Sequence, residues 1–267
     1  MVDRSLLNKE QRWQLAHYLA DTRLPEINKN LDEIRPSATL YSHFGKRAID
    51  IVVSSCALAV TLPINLVLAA VTFFDVGSPI FFVQERIGID GKHFTMIKFR
   101  NMTNETNEEG ELLPASERVT KWGSFARKTS LDELLNFWSV LKGDMSVIGP
   151  RPLPEEYLYR YNKRHRGRLS VRPGLECPPR QRLGHILTWN EQFENDVWYA
   201  ENISFRTDAL MLFNLVRFAF DRKMANARAN VKEKGTFMGY DEDGIAINLE
   251  EVPQEIIDAL FEDDSRQ

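Results

Sequence analysis

With only two cysteines, Cys56 and Cys177, among 267 residues, the chain has no disulfide framework to rely on, and a reducing cytoplasmic setting fits. It has no large excess of charge either. The 34 basic and 38 acidic residues leave a formal net charge of −4, which excludes a generally basic nucleic-acid binder, so no nucleic-acid partner is expected. The stretch from Met1 to Lys9 is polar and no apolar core follows it, so no signal peptide is expected. No internal repeat is evident. The length suits one sizeable domain or two small ones.

Against these absences stands a long apolar run. Phe44-Gly45-Lys46-Arg47-Ala48-Ile49-Asp50 leads into Ile51–Phe74, which holds no charged residue. As one straight helix that run would be about 36 Å long, against a bilayer core of roughly 30 Å. Pro63 removes a backbone donor near its middle, and Asn65 adds a polar amide. Three readings stand: a spanning helix, a buried soluble helix, or a broken helix that enters and leaves by one face. The lack of charge favours membrane contact, and Lys46 and Arg47 fit a cytoplasmic start.

The stretch with chemical content is Thr129-Ser130-Leu131-Asp132-Glu133-Leu134-Leu135. Ser130 followed three residues later by Glu133 predicts a helix N-terminus closed by a capping box. Leu131, Leu134, Leu135, Trp138 and Leu141 then form one buried stripe, ended at Gly143. Asp132 falls in the first turn, where the helix dipole favours an ionised carboxylate. Capping and solubility would by themselves explain such a motif. Arg127 and Lys128 precede it, however, and Gly149-Pro150-Arg151-Pro152 comes after it, holding Arg151 between stiff neighbours as a planar donor for phosphate or carboxylate. An acidic pair among placed cations suggests metal-assisted chemistry on a phosphorylated substrate.

The remaining chain predicts an α+β fold that is mostly helical. Ile80–Val83 and Phe94–Met102 read as a hairpin around Asp90-Gly91. Alternation puts Met96, Lys98, Arg100 and Met102 on one face, where Lys98 and Arg100 either clamp a diphosphate or are simply solvated. Residues 103–118 read as a mobile acidic loop. Glu155–Arg168 reads as a helix with Tyr157, Tyr159 and Tyr161 beside Lys163, Arg164, His165, Arg166 and Arg168; this suits anionic headgroups or a solvated basic face. Further helices cover Glu194–Ala200 and Ser204–Phe220. Residues 1–23 form a short helix, starting near Asn8 and Gln11, that packs on the body or on a partner; Pro25 and Pro36 break the stretch after it. Residues 241–267 hold ten acidic side chains and one basic one, with Ile256, Ile257, Leu260 and Phe261 on one face of a short helix. That acidic tail points away from a membrane or meets a partner.

Several motifs then fall in one order. They are Lys46-Arg47-x-x-Asp50 before the apolar run, Gln84-x-Arg86-x-Gly88, Lys98-Phe99-Arg100, Ser130-Leu131-Asp132-Glu133-Leu134, Leu141-Lys142-Gly143-Asp144-Met145-Ser146 with Val147-Ile148-Gly149-Pro150-Arg151-Pro152, and Trp198-Tyr199-Ala200-Glu201-Asn202. From about Phe44 to about Phe220 the chain resembles the bacterial sugar transferases known as monotopic phosphoglycosyl transferases, which are polyprenyl-phosphate sugar-1-phosphate transferases. The resemblance implies a monotopic membrane protein whose re-entrant helix breaks at Pro63, with Lys46, Arg47 and Asp50 in the anchor. It implies transfer of a sugar-1-phosphate from a UDP-sugar to undecaprenyl phosphate with release of UMP. Asp132 would form a covalent aspartyl-phosphosugar intermediate, and Glu133 would assist. Lys98, Arg100, Arg127 and Arg151 would bind phosphate, and Mg²⁺ would be held at least by Asp132. The expected place is the bacterial inner (cytoplasmic) membrane, with the active site facing the cytoplasm. The expected role is the first membrane step of exopolysaccharide, capsule, O-antigen or glycoprotein assembly. Its partners would include membrane lipids, with a homodimer or other glycan-assembly enzymes left open. A catalytically decayed assembly protein and a metal-dependent membrane phosphohydrolase are the alternatives.

The implied division is an extension over 1–43, a membrane helix over 44–78, a catalytic domain over 79–220 and an acidic tail over 221–267. Members usually carry a Thr-Gly pair after Pro173-Gly174. Here Leu175-Glu176-Cys177-Pro178-Pro179-Arg180-Gln181-Arg182 stands instead, and no sugar or nucleotide contact of that loop is carried over.

Overall fold

A computed structural model of the chain describes residues 2–180, 185–219 and 234–261. Gln181 and Arg182 of the unusual loop, and residues 220–233 and 262–267 of the expected tail, lie outside the described residues. Within them the chain is mostly helical and carries three two-stranded sheets, in keeping with the expected class.

Helix α1 spans Lys9–Ile27. Its start is the expected one: the Gln11 N–H donates to the Asn8 side chain at 2.9 Å and the Asn8 N–H to the Gln11 side chain at 3.0 Å, a capping box. Pro25 sits inside the last turn, so the helix ends only at Ile27.

Helix α2 spans Lys46–Val76. By length and composition it is able to cross a membrane. Where a break at Pro63 was expected, the helix runs through; a proline deletes one donor, and a helix of 31 residues tolerates that loss. Lys46, Asp50, Ser54, Asn65, Leu68 and Thr72 are buried at helical spacing, so protein covers one face. Val52, Val60, Leu62, Leu66, Val67 and Phe74 on the remainder are exposed.

Strands β1 (Phe81–Ile87) and β2 (His93–Phe99) form the expected hairpin. Asp90 (φ 56°) and Gly91 (φ 76°) make the turn in left-handed geometry, which Asp and Gly adopt most readily. Helix α3 (Lys121–Thr129) is hung from the end of α2. The Thr120 hydroxyl caps it, accepting from the Gly123 N–H at 2.8 Å, and donates to Asp75 at 2.6 Å. Helix α4 (Asn136–Lys142) ends where expected, with Gly143 at φ 99°. Strand β3 (Ser146–Ile148) then pairs in parallel with β4 (Gly174–Glu176). Gly149 and Gly174 lie back to back here: a Cβ on Gly174 would run into the Gly149 backbone, so this crossing admits no side chain.

The tyrosine-rich basic segment corrects the expectation. It is two 3-10 stretches, Glu155–Arg160 and His165–Ser170, rather than one helix. Tyr157, Tyr161, Arg160, His165 and Arg168 are buried, so they face neither headgroups nor water. Acidic partners on helix α5 (Trp189–Glu201) make this burial possible. Arg168 donates to Asp196 at 2.8 Å, and Arg164 and His165 meet Glu194 at 2.8 and 3.0 Å. Tyr161 packs between Phe193 and Phe237.

Helix α6 (Phe205–Ala219) comes next, and the expected pair of helices is present. A second hairpin, β5 (Phe237–Tyr240) and β6 (Ala246–Asn248), leads to helix α7 (Gln254–Phe261). The apolar face expected there is real: Ile257 and Phe261 are buried, with Ile256 and Leu260 packed beside them. They share a core with Leu7, Leu15 and Leu19 of the N-terminal segment and Met238 of β5. Tyr240, Phe237 and Ala246 join a second core with Tyr157, Tyr161, Trp189, Phe193, Ile87 and Leu153. The two terminal segments are therefore packed on each other and on the body.

Candidate active site

Asp132 and Glu133 lie in a single 3-10 turn, Leu131–Glu133, and its entry corrects the expected capping box. Ser130 is left-handed (φ 56°) and its side chain makes no cap. It ends α3 rather than starting the next helix. Glu133 is thereby released from the backbone and turns to cations. Lys98 of β2 donates to its Oε1 at 2.5 Å, and Arg151 to the same oxygen at 2.7 Å. The expected leucine stripe is also displaced: Asn136, Ser139 and Val140 are the buried positions of α4, and Trp138 is half exposed.

Asp132 is buried, at 6% exposure. Asn101 donates to its Oδ2 at 2.8 Å, the only side-chain hydrogen bond to this carboxylate among the described residues. Burial, and then the charge of Glu133, push the Asp132 carboxyl above its usual range, against the pull of Lys98 and Asn101. This reverses the expectation from the helix dipole, because desolvation outweighs the partial charge of one short turn. Burial would also raise Glu133, but Arg151 and Lys98 overcome it and hold that carboxyl at about 2. Adjacent carboxylates are thus driven apart, a pattern typical of functional sites.

The remaining expected residues divide. Arg127, at the end of α3, places its charge opposite Asp132. Arg151 also donates to the Leu175 carbonyl at 3.3 Å and lies 3.9 Å from Glu176. Its own carbonyl accepts from buried Arg168 at 2.8 Å, so the Arg168–Asp196 pair holds the Pro-Arg-Pro turn from behind. Arg100 is not brought to the acidic pair. Strand β2 stops at Phe99, the alternation ends with it, and the Arg100 guanidinium donates to the Val76 and Gly77 carbonyls at the end of α2, where a helix C-terminus favours a cation.

Lys46, Arg47 and Asp50 face the protein. Lys46 pairs with Asp208 at 2.9 Å, and Arg47 donates to the Val140 and Leu141 carbonyls at 2.6 and 2.7 Å. Asp50 accepts from the Ser146 hydroxyl and the Val147 N–H. Pro63 stays within α2, remote in sequence from these clamps.

Three residues at the site were not singled out for it. Asn101 comes directly after Lys98-Phe99-Arg100 and carries no pattern of its own. Arg86 and Gln84 stood in the Gln84-x-Arg86-x-Gly88 motif, but only the structure brings that strand face to the site.

For a divalent cation, the donor set of the acidic pair is suitable: hard carboxylate oxygens, with Asp132 paired directly to no protein cation among the described residues. Glu85, His93 and Glu155 also bring ligand atoms within 4.8 Å of one another, but all three are exposed and stand outside the cation cage.

Two covalently adjacent carboxylates of opposite character, one of them held by Lys98 and Arg151, stand in a chain with a long apolar helix, an arrangement suited to phosphate chemistry at a membrane. Comparison with known proteins agrees: the family described as bacterial sugar transferase matches residues 41–222, and this chain belongs to it. The sugar transferase EpsL of Bacillus subtilis, itself uncharacterized, is 42% identical over 172 residues, 64% of this chain and 85% of that protein. The UDP-glucose:undecaprenyl-phosphate glucose-1-phosphate transferase of Klebsiella pneumoniae is 36% identical over 196 residues, 67% of this chain and 41% of that protein. The UDP-N-acetylgalactosamine-undecaprenyl-phosphate N-acetylgalactosaminephosphotransferase of Aeromonas hydrophila is 31% identical over 204 residues, 73% of this chain and 48% of that protein. The chain thus spans most of the first relative and under half of the other two.

Proposed function

We propose that this chain transfers a sugar-1-phosphate from a UDP-sugar to undecaprenyl phosphate and releases UMP. The observation that carries the reading is Asp132, a buried carboxylate with no protein cation of its own among the described residues, set beside a cage of cations. Relatives whose names give both substrates support it.

In the first step an Asp132 carboxylate oxygen attacks the β-phosphorus. The bond from that phosphorus to the bridging oxygen breaks, and UMP leaves with the electron pair. A phosphosugar-aspartyl ester remains. In the second step a phosphate oxygen of the lipid attacks the same phosphorus, and Asp132 leaves as the free carboxylate. The covalent intermediate divides one difficult transfer into two at one site. Lys98 and Arg151 hold Glu133 ionised, and Arg127 offsets the charge of the incoming phosphates. Asp132, with Glu133 beside it, would hold Mg²⁺, which when bound offsets charge on the transferring phosphoryl group.

The lipid phosphate stays at headgroup level, so the site must work at the membrane surface. The unbroken α2 does not itself support entry and exit by one face, but its exposed apolar side supports contact with the bilayer. Lys46, Arg47 and Asp50 tie its start, and Asp75 and the Val76 carbonyl tie its end, to one catalytic body. That body would sit on the cytoplasmic side of the inner membrane, at the first membrane step of a glycan pathway.

The test is UMP release by nanodisc-held protein across a panel of UDP-sugars with Mg²⁺, with and without undecaprenyl phosphate. Lipid-dependent release with at least one sugar is expected. Sustained release without lipid would indicate hydrolysis instead, and no release with any sugar would count against the transferase.

A further inference from the structure

Arg86 has a role still to be assigned. It lies on β1, where the register pairs it with Phe94, Gln84 with Met96 and Phe82 with Lys98. Alternate residues share a face, so Arg86, Gln84 and Lys98 belong to one side of the hairpin. The next residue, Ile87, donates its N–H to the Leu153 carbonyl at 3.2 Å. That bond lays this end of β1 against the Pro150-Arg151-Pro152 turn.

The guanidinium of Arg86 donates to the Gln84 side-chain oxygen at 2.6 Å, a neutral acceptor. Its Nε is buried and has no acceptor among the described residues. The titratable groups facing it are Arg151, Glu133, Glu156 and Tyr157. Burial, then the like charge of Arg151, weigh against its cationic form. The anion nearest in role, Glu133, is already bonded to Lys98 and Arg151. A partly buried guanidinium with an unmet donor beside a second guanidinium is costly until an anion arrives.

We propose that Arg86 and Arg151 form a two-guanidinium clamp on the phosphoryl oxygens of a substrate. This rests on the transferase reading only for the identity of the anion. Two sources share the chemistry, the diphosphate of the nucleotide sugar and the phosphate of the lipid acceptor, and the experiment separates them.

The full chain in nanodiscs is compared as wild type, Arg86→Gln and Arg86→Lys, varying each substrate with the other saturating. Binding of UDP and of inorganic pyrophosphate is measured without turnover, and thermal unfolding is recorded for each protein. Arg86→Gln is expected to raise one KM about ten- to hundredfold, the range of a charged hydrogen bond. Arg86→Lys should recover only part of it, because a lysine offers a point charge and not a planar fork. A higher KM for the UDP-sugar with weaker UDP binding places the clamp on the donor. A higher KM for the lipid phosphate with UDP binding unchanged places it on the acceptor. Unchanged KM values for both overturn the clamp, as does a loss of kcat and thermal stability together at constant KM. If wild type turns over no donor, the transferase reading fails by itself. The binding arm, extended to undecaprenyl phosphate, still decides the clamp, which is overturned if wild type binds none of the three or if Arg86→Gln binds all three as tightly.

Discussion

Asp132 and Glu133 are neighbours in the chain and opposites in electrostatics. Glu133 is depressed to about 2 from an ordinary value of 4.5, so it adds stability above the ordinary value and loses it as pH falls toward 2. Asp132 is raised, so its charge opposes folding above its folded pKa and the penalty is relieved as pH falls through it. These signs set two expected outcomes. Asp132→Asn should abolish UMP release yet raise the melting temperature, since it deletes a destabilising buried charge; a variant that still turned over would remove Asp132 from the nucleophile role. The acid limb of the pH–rate profile should track Asp132, and Glu133→Gln should move that limb to lower pH by deleting a neighbouring negative charge and freeing Lys98 and Arg151. A limb that stays in place in a variant with residual activity would belong to another group. The placing together of Asp132, Glu133, Arg127 and Arg151 was legible from charged types around one turn-rich stretch, and that of Lys98 from the alternation of its strand. The Ser130 reading failed because Glu133 found cations from distant segments, which bond more strongly than a backbone N–H. Arg100 failed because a two-residue alternation holds only while the strand lasts.

Helix α2 has two faces of different meaning. Val60 is 71% exposed and Leu68 is 4% exposed. Val60→Arg should leave the soluble body folded but weaken membrane association by about 2.5–3.5 kcal/mol if the residue lies at bilayer depth, read as the fraction that sediments with membranes. A full yield in the membrane fraction would argue against that depth. Leu68→Arg should instead reduce folded protein, since its side is covered by the chain itself. The run without charge made α2 legible as membrane-apt. Its covered face was not legible, because Lys46 and Asp50 are matched by groups far away in sequence. The same reason explains the basic tyrosine segment: Arg168 is answered by Asp196, 28 residues later, and no local pattern contains that answer.

At the scale of the whole molecule, the family match ends where the terminal segments begin, yet those segments complete the body's core. Leu15 is fully buried among Met238, Ile257 and Phe261. Leu15→Ala should cost about 2–5 kcal/mol, seen as a lower melting temperature, with KM for both substrates unchanged because the site is built by other elements. A shifted KM would show that the terminal core reaches the site through Leu153 and Tyr157. The composition shift of the tail was legible, and so was its short amphipathic helix, but their partner was not: nothing local in α1 says that β5 and α7 will cover it. That pairing also sets a timetable. The apolar face of α1 leaves the ribosome long before β5 exists, and with translation at about 5–20 residues per second the wait is roughly 10–40 s. During that interval α2 is already made and free to reach the membrane. A nascent chain that stalls in between leaves the Leu15–Leu19 surface uncovered, and transiently exposed apolar surface is prone to aggregate, so completion of the last hairpin is also what buries α1.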